Sequence, residues 1–80
     1  MLNITIISPE KKLYEGQASS IIVPSVDGSF EVLTNHAPIV AALAQGTVTI
    51  TEASAKKTKM EIAGGFVEVL NNNVSILAQQ

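Results

Sequence analysis

Apolar residues recur at every second position along much of this chain. In "NITII", Ile4 and Ile6 share one face of an extended backbone, and in "TVTIT", Val48 and Ile50 alternate with threonines. "KMEIA" sets Met60 and Ile62 in the same relation, "FVEVL" sets Val67 and Val69, and "NVSILA" sets Val74 and Ile76. A period of two built on β-branched side chains predicts strands buried on one side. Thr5, Thr47, Thr49, Glu61, Glu68 and Ser75 are then turned to solvent. Turn signals divide the runs: Ser8-Pro9, Pro24 to Gly28, Gly46, "ASAKK", and Asn71 to Asn73, where Asn tolerates the left-handed backbone. Gly16 is expected to interrupt the second strand, and Gly64-Gly65 to mark a bulge or a close backbone contact. "NHAPIVAALAQG" also satisfies a short helix, with Asn35 as N-cap and Gly46 as C-cap. Its strand-rich neighbours favour a strand. The reading is one all-β domain over residues 1–80, a sandwich or barrel of six or more short strands.

Composition narrows what such a domain can do. Eighty residues make a single core, with a stability of roughly 4–12 kcal/mol on the usual per-residue scale. That leaves little surplus for a strained, desolvated active site. There is no cysteine, which removes disulfides, iron–sulfur clusters and thiolate zinc sites. The net charge is −2, and the basic residues are all lysine, the wrong balance for a nucleic-acid binder. The longest apolar run, "APIVAALA", is far short of a membrane span. The start, "MLNITIISPE", lacks the basic and apolar regions of a signal peptide, so an intracellular chain is expected.

The densest chemistry lies in "SVDGSFEVLTNHAPIV", residues 25–40, with the single histidine, His36, and the acids Asp27 and Glu31. A nucleophilic triad finds its residue types here but no G-x-S-x-G elbow and no Gly-rich oxyanion loop beside a serine. A zinc or calcium site lacks ligands. In "GGF", Gly64 to Phe66, no Lys-Ser/Thr and no helix follow, so a phosphate cradle fails. In an extended segment Asp27, Ser29 and Glu31 point to one side, while Phe30 and Val32 point to the core. This is an acidic patch beside an apolar anchor, better suited to docking than to catalysis. Two other readings stand beside it. One is a stand-alone sandwich binding sugar or peptide through exposed rings, for which the chain offers only Tyr14, Phe30 and Phe66. The other, weaker, is a small hydrolase using His36.

Three blocks, in order, carry a family resemblance. "ISPEKKLYEGQASSIIVPSVDG", "GSFEVLTNHAPIVAAL" and "GGFVEVLNNNVSILA" together resemble the N-terminal β-sandwich domain of the ε (epsilon) subunit of F-type ATP synthase. The resemblance runs from end to end and implies a two-sheet β-sandwich of about ten short, mostly antiparallel strands. It implies a non-catalytic place in the central stalk, or rotor, between the γ (gamma) subunit and the c ring, coupling ion flow to ATP synthesis. No cofactor, metal or small-molecule substrate is implied. The expected location is the cytoplasmic face of a bacterial inner membrane, peripheral and held there through the complex. Carried over by position, Asp27, Ser29, Glu31 and His36 are expected to face the c ring, and Ala41 to lie toward γ.

Three departures qualify the carry-over. Glu31 stands where the family usually has Gly, and Ser29 where many members carry an acid, as though the negative charge had moved to Asp27 and Glu31. Many relatives also continue into a C-terminal helical hairpin that inhibits ATP hydrolysis and, in some, binds ATP. This chain stops at Gln80. The expectation is coupling and assembly without inhibition by helix extension, with a short natural form favoured over a truncated one.

Overall fold

The computed structural model describes residues 1–80 and contains no helix. There are nine strands, one fewer than the ten the resemblance implies: β1 (Leu2–Ile7), β2 (Lys12–Ala18), β3 (Ser20–Ser25), β4 (Gly28–Leu33), β5 (Ile39–Leu43), β6 (Gly46–Thr51), β7 (Lys57–Ile62), β8 (Gly64–Leu70) and β9 (Asn73–Gln79). They form two layers, β2-β1-β9-β8-β5 and β4-β3-β6-β7. The layers are joined where Ser25 of β3 meets Leu43 of β5, so the ladder is one continuous sheet curled on itself. All pairings are antiparallel except β1 with β9.

The corner between the layers follows from three residues. β3 pairs with β6 as far as Ile22↔Thr49, and then with β5 at Ser25↔Leu43. Pro24 sits at this change of partner, where its lack of an N–H leaves no donor unpaired. Its carbonyl accepts from the Ala44 N–H at 2.7 Å. Gly46 lies against the Pro24 ring, and a Cβ there would come within 2.8 Å of Pro24 Cβ. On the other strand of the bend, Gly65 (φ 142°) lets β8 approach β9 closely, as the expected contact required. A Cβ at that position would fall 2.0 Å from the Leu77 carbonyl oxygen.

Sixteen apolar side chains fill the space between the layers, among them Ile4, Ile6, Val48, Ile50, Ile62, Val67, Val69, Val74 and Ile76. Apart from half-buried Met60, the alternation read from the sequence is therefore the inside–outside alternation of the strands. Leu13, Tyr14, Phe30 and Met60 close the margins, partly buried against this core.

The segment that competes for a helix is strand β5. Asn35 is not an N-cap: it takes φ 67° in a turn where the His36 N–H donates to the Leu33 carbonyl at 3.1 Å. Asn71 and Asn72 (φ 50° and 63°) form the two-residue hairpin loop between Leu70 and Asn73, both left-handed as a type I′ turn requires. The two turns are tied together. The Asn35 N–H donates to Asn72 Oδ1 at 2.6 Å, and Asn72 Nδ2 donates to Asn35 Oδ1 at 3.3 Å. Gly16 does not interrupt its strand. It stays in register opposite Ile4, and the Tyr14 ring lies over it.

Candidate docking surfaces

The hairpin β3–β4 places the acidic patch. Its two-residue loop, Val26-Asp27, ends on Gly28 at φ 118°, a backbone that glycine adopts freely. The Asp27 N–H donates to Ser25 Oγ at 3.3 Å. Asp27, Ser29 and Glu31 are all exposed, Val32 is buried, and Phe30 is half-buried against the core, as extended alternation dictates. Neither acid has an intramolecular ion partner. The one salt bridge of the chain joins Lys12 Nζ and Glu15 Oε1 at 2.9 Å on β2.

A groove of about 630 Å³ opens between this hairpin and β5. It brings Asp27, Ser29, His36 and Ala41 together around Phe30 and Ile39. Glu31 is not part of it and lies on the outer face of the second layer, across from Ile22. The His36 ring tilts over Phe30, centroids 6.3 Å apart at 31°. Its Nδ1–H donates to the Ala37 carbonyl at 2.7 Å. No serine or acid is hydrogen-bonded to it. The ring is placed for packing, not for proton transfer to a nucleophile. Nor do three His, Asp or Glu side chains converge anywhere on a common point. Ala41 is half-buried and packs against the core, while Val40 beside it stands 70% exposed.

A second surface was not singled out in the sequence. On the outer face of the first layer Phe66 lies opposite Leu77, and Leu77 lies opposite Ile7. With Val40 these line an apolar depression of about 270 Å³ whose rim holds Thr5, Ser75 and Glu68. Ile7, Phe66 and Leu77 are apolar at the parity of their strands that otherwise carries Thr, Glu or Ser, while β5 has no polar residue at either parity. Of the three aromatic rings only Phe66 is exposed, so the stacked platform of a sugar-binding module is not assembled.

The structure thus defines a β-sandwich with an acidic turn, an open groove beside β5 and an apolar outer face. The family described as the β-sandwich domain of the ATP synthase Delta/Epsilon chain matches residues 1–80, and the chain belongs to that family. It is 47% identical over 76 residues to the ATP synthase epsilon chain of Leptospira borgpetersenii, covering 95% of this chain and 59% of that one. It is 36% identical over 77 residues to the ATP synthase epsilon chain of Chlorobaculum tepidum, covering 96% and 88%. The chain thus spans about three-fifths of the length of the Leptospira relative. Among solved structures, a chain of the Euglena gracilis mitochondrial ATP synthase superposes with a TM-score of 0.93 at 23% identity, over 99% of this chain and 51% of that one. A chain of the Tetrahymena thermophila mitochondrial ATP synthase central stalk/c-ring structure superposes at 0.81 with 19% identity, over 99% and 63%. At these identities both establish the fold.

Proposed function

We propose that this domain is the non-catalytic ε-type element of an F-type ATP synthase rotor, holding the γ subunit to the c ring so that ion flow is coupled to ATP synthesis. Its place would be peripheral, at the cytoplasmic face of a bacterial inner membrane, reached through the complex and not by a span of its own. No helix of the structure is long and apolar enough to cross a membrane. The observation that carries the reading is the apolar depression around Val40, Phe66, Leu77 and Ile7, exposed on a sandwich whose family is that of the ATP synthase epsilon chain. A rigid body that transmits torque needs one large apolar contact to hold it and charged contacts to set its register.

Within this reading the apolar face and the adjoining segment at Ala41 meet γ. The hairpin loop, with Asp27, Ser29, Glu31 and His36, meets the polar loops of the c ring. Asp27 and Glu31, unpaired within the chain, are complementary to a basic residue there. The test is co-purification of the chain with γ, followed by reconstitution with c ring. A stable complex with γ is expected. Asp27→Lys with Glu31→Lys should weaken c-ring attachment about tenfold or more while leaving γ binding and the melting temperature in place. No complex with γ above background would sink the reading. Unfolding caused by the charge reversal would reassign both acids to structure.

A further inference from the structure

We propose that the free edge of β5 is a strand-addition site, where an extended segment of γ pairs with the backbone of Val40. The inference rests on γ as the partner and adds the mode of contact.

Exposed strand edges invite pairing with another chain, and proteins blunt them with charged side chains, Pro or cover. β2 carries Lys12 and Glu15, β4 carries Glu31, and β7 carries Lys57, Lys59 and Glu61. β5 is Ile-Val-Ala-Ala-Leu, with no polar side chain at all. One side of β5 is paired with β8 from Ile39 to Leu43, and the other meets β3 only at Leu43. The Ala42 carbonyl accepts the Val26 N–H at 3.0 Å, so the backbone groups of Ala42 point away from β8. In an antiparallel strand alternate residues point the same way, so the N–H and C=O of Val40 do too. No hydrogen bond outside the ladders uses them. The Val40 N–H, the Val40 C=O and the Ala42 N–H therefore stand open along the groove.

The groove also says what fits there. Its walls are Val26, Phe30, His36 and Ile39, and its charged residue is Asp27. Glu68 lies across the ladder from Val40, and no lysine lines the groove. The occupant is an extended run with small or apolar side chains against Phe30 and Ile39, Asp27 at the hairpin end being left to the c ring. A helix has no free backbone groups to meet Val40 and would bury its N–H and C=O unpaired, a costly outcome. A strand satisfies them and continues the sheet.

The experiment is residue-resolved amide hydrogen exchange on the isotope-labelled chain, alone and saturated with purified γ. The Val40 and Ala42 amides should exchange about 100-fold or more slowly in the complex. Val40→Pro, which removes a donor but no internal ladder bond, should lower affinity for γ at least about tenfold. If that variant does not fold, exchange in the unsubstituted chain decides. A complex in which Val40 exchanges as in the free chain overturns strand addition and leaves the γ reading standing. Absence of any complex overturns both. Slow Val40 exchange without γ, together with a dimer mass, would assign the edge to a second copy of this chain and overturn the proposal.

Discussion

The two outer faces of the sandwich have the same construction and opposite chemistry. Across the first layer one row reads Ala42, Phe66, Leu77, Ile7 and ends in Lys12 on the β2 edge. Across the second, a corresponding row reads Glu31, Ile22, Thr49, Lys59. In that row the one apolar residue, Ile22, lies between Glu31 and Thr49, and Thr47 Oγ1 donates to the Glu61 carboxylate across the strands. On that face Ile22 and Leu33 are the exposed large apolar residues, while on the first-layer face Phe66 is 59% and Leu77 47% exposed and adjoin Ile7 and Val40 in one depression. Folding needs only the inward parity of each strand, so a cluster of apolar residues on an outward parity indicates a use outside the fold.

The largest effect should come from the residue beneath the apolar row. Gly65→Val places a side chain against the Leu77 backbone at a positive φ, and should cost at least about 3 kcal/mol, enough to unfold much of the population. Gly46→Ala, its counterpart near the second layer, meets the side chain of Pro24 and should cost about 1–3 kcal/mol. Thermal unfolding of the two variants checks the order. If Gly65→Val melts like the parent, β8 and β9 do not approach as described.

A smaller effect lies at β2, away from the apolar row. Burial and the charge of Glu52 push the Tyr14 phenol above its ordinary value. An acid that ionises less readily in the folded chain contributes stability that is intact below about pH 10 and is lost as pH rises through the folded value. Denaturant unfolding across that range should show the loss, and Tyr14→Phe should flatten it without altering γ binding. The smallest expected change is at the β6–β7 turn, where Ala55 holds φ 72°. Ala55→Gly should stabilise the chain by about 1 kcal/mol and leave partner binding untouched. A change in binding from this turn would mean that the second layer is also an interface.

The strands were legible because burial follows parity, and parity is written in "TVTIT" and "FVEVL" without reference to distant residues. Turn chemistry was legible at Asn71–Asn72 for the same local reason. The roles of Gly16 and Asn35 are set by neighbours and not by local pattern: Gly16 continues its strand under the Tyr14 ring where an interruption is expected, and Asn35 answers Asn72 from a separate turn. The acidic hairpin could be located in the sequence, since a short motif held it. The apolar face could not, since it is assembled from β1, β5, β8 and β9, and only the register brings Ile7, Val40, Phe66 and Leu77 into one patch.

The contrast between the faces is tested most directly by measuring affinity for purified γ with one acidic substitution on each. Phe66→Asp should weaken binding by about 100-fold or more, since it removes a large apolar contact and buries a charge. Thr49→Asp, equally outward in the second layer, should change it by no more than about twofold, and both variants should melt close to the parent. Equal losses from the two, or a loss from Thr49→Asp alone, would contradict the account.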